Sequence, residues 1–110
     1  MRPIVISTTD ASGGTTTSAT AVVDIHGRPE ISLQLDVTGT ATCTVQQTLD
    51  NVWDSSITPV WFDHPDSNLV GATADKQGNY GYVPFAVRLR QTAGNGSAKL
   101  TIIQSGASRA

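Results

Sequence analysis

Apolar and polar residues alternate one by one along most of this chain. The clearest run is Ile31-Ser32-Leu33-Gln34-Leu35-Asp36-Val37, four apolar residues alternating with three polar ones. Successive side chains of a strand point to opposite faces, so this run predicts a strand with one buried and one wet face. Ala41, Cys43 and Val45 alternate with Thr42, Thr44 and Gln46 directly after it, and Gly39 between the two runs predicts a hairpin. Later, Val83, Phe85, Val87 and Leu89 alternate with Pro84, Ala86, Arg88 and Arg90, and Ala98, Leu100 and Ile102 alternate with Lys99 and Thr101. Ala93-Gly94-Asn95-Gly96 between these two predicts a second hairpin, because Asn-Gly accepts the positive φ angles of a tight turn.

The middle of the chain is less regular. Residues 40–58 hold no Gly or Pro, and Ala41, Val45, Leu49, Val52 and Trp53 also fit helical spacing. The Thr residues at the start of this stretch favour a strand from Ala41 to about Leu49, since β-branched side chains lose rotamer freedom in a helix. A loop follows through Asp50-Asn51, with a short helical turn left open near 51–55. Residues 57–62 form the next strand candidate, with Pro59 at its start or on an edge because proline cannot donate to a ladder. Asp63-His64-Pro65-Asp66-Ser67-Asn68 reads as a turn. Residues 69–74 are weakly strand-like, and 75–81 read as a loop carrying Gly78 and Gly81.

The first 28 residues differ in texture. Residues 3–9 and 19–25 are strand-like, the Gly/Ser/Thr-rich run 10–18 has no core-forming side chain, and Gly27-Arg28-Pro29 is a turn. This part is either an edge strand of the domain or an arm that pairs with a neighbouring subunit. The expected organisation is an N-terminal strand or arm over 1–28, a β-sandwich over 29–105 and a polar tail over 106–110. Seven or eight strands with regular turns and little or no helix predict an all-β antiparallel β-sandwich, Ig-like or jelly-roll.

Composition supports that class. The chain of 110 residues has 15 Thr, 10 Val and 7 Ile, and only 15% of its residues are charged. Such a length is one domain, and folding buries roughly 65% of the unfolded surface. The net charge is −2 with no basic run, so the electrostatic footprint of a nucleic-acid binder is missing. No apolar run approaches the length of a membrane-spanning helix. The short apolar patch near the N-terminus lacks a signal-peptide core, which leads us to expect synthesis in the cytoplasm. The single cysteine, Cys43, forms no intramolecular disulfide and builds no Cys-based zinc site; it reads as a small buried hydrophobe.

Candidate chemistry is sparse. His64, between Asp63 and Asp66, is the one concentration of titratable groups, but neighbours in a turn are not a triad, and no G-x-S-x-G elbow exists. His64 is expected to lock the turn. His26 lies in a different turn, so no metal set is expected, and no cofactor. The glycine loops lead into strands and lack the helix N-terminus of a phosphate cradle. No catalytic residue is therefore nominated. Surface contact is the remaining candidate role. Trp61 and Phe62 are adjacent, so in a strand one would face the core and the other solvent or a partner. Trp53, Tyr80 and Tyr82 could serve a protein interface or a sugar platform. Arg88 and Arg90 share the strand face opposite Leu89. The candidate interface is thus Trp53, Trp61, Phe62, Tyr80, Tyr82, Arg88 and Arg90.

From about residue 40 to 105 the chain resembles small virion proteins of tailed bacteriophages. The resemblance rests on the Thr-rich strand around Thr42-Cys43-Thr44, the block Trp61-Phe62-Asp63-His64-Pro65, the loop Gly78-Asn79-Tyr80 and Val87-Arg88-Leu89. It extends to the ending Lys99-Leu100-Thr101-Ile102-Ile103-Gln104. It implies a β-rich, non-enzymatic protein that binds the capsid surface in many copies as a decoration (cement) protein. The implied partner is the major capsid protein, with homo-oligomers in the virion and no nucleic-acid or membrane contact. A head–tail connector or tail accessory protein, or a carbohydrate- or receptor-binding module of a fibre or spike, are the alternatives. The implied location is the virion, after synthesis in the host cytoplasm.

Overall fold

The computed structural model describes residues 4–9, 15–18, 20–22, 31–80 and 84–104. Its elements are β1 (Ile4–Thr9), β2 (Thr16–Thr17), β3 (Ala21–Val22), β4 (Ile31–Thr38), β5 (Thr42–Thr48) and β6 (Phe62–Asp63). A 3-10 turn (Ser67–Leu69), β7 (Lys76–Tyr80), β8 (Ala86–Ala93) and β9 (Ser97–Gln104) complete them. One sheet has the order β1-β9-β4-β7; the other runs β2-β8-β5-β6, with β3 also on β8. Every pairing is antiparallel. The fold is all-β and sandwich-like, as the alternation predicts, and among the described residues the 3-10 turn is its only helical piece.

The two sheets are one ribbon bent at a corner. Ile31 faces Gln104 and Thr38 faces Ser97 in the first sheet. Thr42 faces Ala93 in the second with the same offset, and the register slips only between Thr42 and Cys43. Residues 31–48 and 86–104 are therefore two long strands that stay paired as they pass from sheet to sheet, a known way of building a sandwich corner. The N-terminal segment follows the outer side of the same ribbon: Ile4 faces Ile102, Thr16 faces Gln91 and Ala21 faces Val87. On the opposite side lie β6 and β7, beside β5 and β4.

This arrangement corrects both hairpin predictions. The Gly39 and Gly94–Gly96 links join strands in different sheets, so they are the two bends of the ribbon. The local turn signal was right and its partner assignment wrong: turn chemistry fixes where a chain bends, not whether the flanking strands pair with each other. At the corner the two backbones nearly touch. Gly96 N donates to Thr40 O at 2.7 Å. A methyl group on Gly94 would overlap the Thr40 carbonyl, and one on Gly96 the Thr38 carbonyl. Gly94 also has φ +89, a conformation that costs L-residues energy.

Two further expectations are corrected. Residues 57–62 were expected as a strand, but only Phe62–Asp63 pairs, because Val60 N donates to the Asp50 side chain instead of a ladder carbonyl. Residues 75–81 were expected as a loop, yet Lys76–Tyr80 is a strand on β4. Its Gly78 lies against Leu69, where a side chain would collide. The strand favoured from Ala41 over the helical spacing is β5, and it is buried on both faces.

The core comprises Leu33, Leu35, Leu100 and Ile102 from one sheet and Cys43, Val45, Val87 and Leu89 from the other, with Leu69 and Tyr80 closing one side. Burying each large aliphatic side chain stabilises the fold by about 2 kcal/mol. Gln91, fully buried, sits at the bend. Its Oε1 accepts from Thr8 Oγ1 at 2.9 Å, and its Nε2 donates to Gly94 O and Gly96 O at 3.1 and 3.2 Å. No buried side-chain nitrogen or oxygen among the described residues lacks a partner.

Candidate functional site

Residues 49–61 link β5 to β6 and, with Phe62 at the start of β6, hold most of the exposed large apolar side chains among the described residues. Short polar side chains organise this loop. Asn51 Oδ1 accepts Trp53 N at 2.9 Å, and Asp54 Oδ1 accepts both the amide and the hydroxyl of Ser56, at 2.9 and 2.7 Å. Those two bonds hold the Asp54 carboxyl below its usual range. Asp50 Oδ2 accepts Val60 N at 2.8 Å, and Thr48 Oγ1 accepts Asp50 N at 3.1 Å. Asx-type bonds of this kind replace the ladder bonds that the loop does not make.

These polar side chains bond the loop's own backbone, and the large apolar ones are left exposed. Leu49, Trp53, Ile57, Val60 and Phe62 are exposed by 70, 72, 41, 57 and 63%. Trp53 stands edge-on to Phe85, with ring centroids 5.2 Å apart. Where β6 parts from β5, a cleft of about 330 Å³ opens between Leu49, Val60 and Phe62, floored by Gln47, Thr48 and Asp50. Four of these side chains lie in the loop and Phe62 on β6, and together they form an exposed apolar patch of the kind that marks interaction sites.

The outer face beside it is polar. Gln46 bridges two charges: its Oε1 accepts Arg88 Nε at 2.8 Å and its Nε2 donates to Asp63 Oδ1 at 2.9 Å. The Arg88 guanidinium lies 4.3 Å above the Trp61 ring, a cation–π contact that pins the end of the loop to β8. Burial, and then the neighbouring Arg90 charge, lower the Arg88 pKa from its usual value.

The sequence candidates thus separate. Trp53 and Phe62 belong to the exposed surface. Trp61 is half-buried under Arg88, so neither member of the Trp61–Phe62 pair enters the core, contrary to the expectation that one would; β6 is too short to carry the alternation inward. Arg88 and Arg90 lie on the outer face, with Leu89 buried between them. Tyr80 is 2% exposed and its hydroxyl donates to Gln47 Oε1 at 2.8 Å; it is a core residue, and its interface assignment is corrected. Tyr82 lies outside the described residues, as does His26. Leu49, Ile57 and Val60 were missed. Their signal was an apolar set without period 2 or 3.6, interleaved with Asp, Asn and Ser.

His64 is buried between the turn and β7. Its Nε2 is 2.9 Å from Asn79 O and its Nδ1 accepts Asp66 N at 2.9 Å. Both ring nitrogens are therefore committed to backbone groups, as expected of a turn lock. Among the described residues no cluster of His, Cys, Asp or Glu could hold a metal ion, and no helix is long and apolar enough to cross a membrane. Comparison with protein-family models and with curated proteins finds no match.

Proposed function

We propose that the chain is a non-enzymatic virion structural protein of a tailed phage that binds and stabilises a capsid surface as a decoration protein. The resemblance to small virion proteins supplies the setting. The observation that supports the binding mode is the loop surface of Leu49, Trp53, Ile57, Val60 and Phe62, held outward by side-chain bonds of the loop itself. Such a surface gives its binding energy through a few large anchors entering pockets of the partner. The major capsid protein is the proposed partner, and many weak copies on one particle add up by avidity. The alternative sugar platform of Trp53, Tyr80 and Tyr82 loses Tyr80 to the core.

Co-sedimentation with empty capsids tests this reading. Replacing Trp53→Ser and Phe62→Ser together should weaken capsid binding at least tenfold, since each anchor is worth about 2 kcal/mol, with little change in thermal midpoint. Binding that is indifferent to both substitutions would remove the proposal. Specific hits on a glycan array, lost on Trp53→Ser, would transfer the surface to the carbohydrate-binding alternative.

A further inference from the structure

The sheet edges differ in how they are closed. At β7, the Asn79 carbonyl is taken by His64 Nε2, and the 3-10 turn packs beside it through Leu69. The β6 edge is two residues long, and the Asp63 carbonyl accepts from Gln47 Nε2 at 3.3 Å. β2 and β3 are two residues each, and the segment between them is tied inward by Ser18 N to Leu89 O at 2.8 Å and Leu89 N to Ser18 Oγ at 2.9 Å. Among the described residues β1 has none of these closures. It is six residues long, pairs without a bulge along its whole length, and contains no charge and no proline. Among the described residues nothing pairs with its outer edge.

The core also stops short at this edge. Ile4 is only half-buried, and Ile6, at 7%, is the most exposed of the buried apolar side chains. Natural edge strands of this length usually carry a lysine, a proline or a bulge that prevents another strand from adding. Among the described residues, Lys99 stands opposite Ser7 on the neighbouring strand and lies 3.8 Å from the Asp36 carboxylate.

We infer that β1 is a homotypic dimer edge, on which β1 of a second copy adds antiparallel about a two-fold axis. The second copy fits because the edge is complementary to itself. A register centred on Ile6 sets Ile6 against Ile6, Ile4 against Thr8 and Val5 against Ser7. It keeps both core faces on one side of the joined sheet and completes the burial of the rim isoleucines. An uncharged strand meets no repulsion from its own copy, and a two-fold contact of this kind closes on itself. The inference concerns a different surface from the apolar loop and stands independently of the capsid reading.

Sedimentation equilibrium of the full chain tests it. The wild-type protein should be a concentration-dependent dimer. Val5→Lys with Ser7→Lys sets like charges directly opposite across the two-fold axis and should weaken the dimer at least tenfold. Both side chains point to solvent, so circular dichroism should show an intact fold. Hydrogen exchange gives a second readout without substitutions: β1 amides directed away from β9 should gain protection as concentration rises. A wild-type chain that stays monomeric to its solubility limit would overturn the inference. So would a dimer that tolerates both lysines and dissociates on Trp53→Ser and Phe62→Ser, which would put self-association on the loop.

Discussion

His64 Nδ1 accepts the backbone N–H of Asp66 at 2.9 Å. An amide can only donate, so Nδ1 carries no proton and the Asn79 carbonyl takes its hydrogen from Nε2. The ring also lies against Tyr80, centroids 4.5 Å apart. Protonation would set a ring N–H against the Asp66 N–H and break the lock between the turn and β7. Burial lowers the His64 pKa from its ordinary value of 6.5, and the Asn79 carbonyl and the Asp66 carboxylate offset only part of this. The unfolded chain therefore binds the proton more tightly than the native one. The linked stability is fully present above about pH 6.5 and is lost as pH falls towards and through the native-state value. Urea midpoints measured from pH 7.5 to 5 should fall for the wild type and stay nearly level for His64→Gln, which should itself be destabilised by about 2 kcal/mol at pH 7.5. Parallel slopes for the two proteins would show that His64 does not titrate between them.

The alternation made the β4, β8 and β9 strands legible, because each has one face on the core and one in water. β5 was harder, since Thr44, Gln46 and Thr48 are buried along with Cys43 and Val45. β7 was hidden by Gly78, which reads as loop yet is the small residue that lets Leu69 approach the strand. The corner was hidden for a different reason. The pairing of residues 31–48 with 86–104 across both sheets is a long-range property, and a local Gly or Asn-Gly signal is the same for a hairpin and for a bend. The loop surface was half legible: Trp53 and Phe62 stood out as rare aromatics, whereas Leu49, Ile57 and Val60 become a surface only once Asp50, Asn51 and Asp54 bond the loop backbone. The N-terminal alternatives also take physical form. Ile4–Thr9 runs beside β9 of its own chain and supplies Ile6 to the core, so its deletion would cost core packing.

The bend makes a sharp forecast about two glycines with similar backbone angles. Gly71 has φ +64 with nothing near its missing side chain, whereas Gly94, at φ +89, faces the Thr40 carbonyl. Gly71→Ala should cost only the left-handed conformation, about 1 kcal/mol. Gly94→Ala adds a backbone collision that cannot relax without parting the ribbon, and should cost about 3 kcal/mol or more. Denaturant midpoints of the two variants should differ accordingly. Equal costs would mean that the corner yields more easily than its close approach implies.

Gln91 ties the bend to the N-terminal strand. Gln91→Leu keeps the volume but leaves the Thr8 hydroxyl and the Gly94 and Gly96 carbonyls without this partner. A loss of about 3 kcal/mol is expected, since stranded buried polar groups cost more than the net worth of their bonds. Thr8→Val alone should cost about 1 kcal/mol by stranding Gln91 Oε1. In the double variant the Thr8 term largely vanishes, because both partners of that bond are gone, so the two costs should fall short of additivity by about 1 kcal/mol. Strict additivity in urea unfolding would show that the bond contributes nothing.

Cys43 offers a direct probe of how the ribbon opens. Its thiol is fully buried on β5, and burial raises its pKa. The thiolate is the reactive form, so both access and ionisation oppose modification in the native state. The residue also sits at the register slip, where its amide and carbonyl are held by Ala72 at 2.9 and 2.7 Å. If that bridge and the two sheets release only together, labelling by a disulfide reagent at pH 8 should be slowed at least about a thousandfold relative to the unfolded chain, matching the global stability. It should also quicken in step with the cost of Gly94→Ala. Labelling that is fast in the native protein and insensitive to Gly94→Ala would place a local opening at the Thr42–Cys43 slip, with the sandwich otherwise closed.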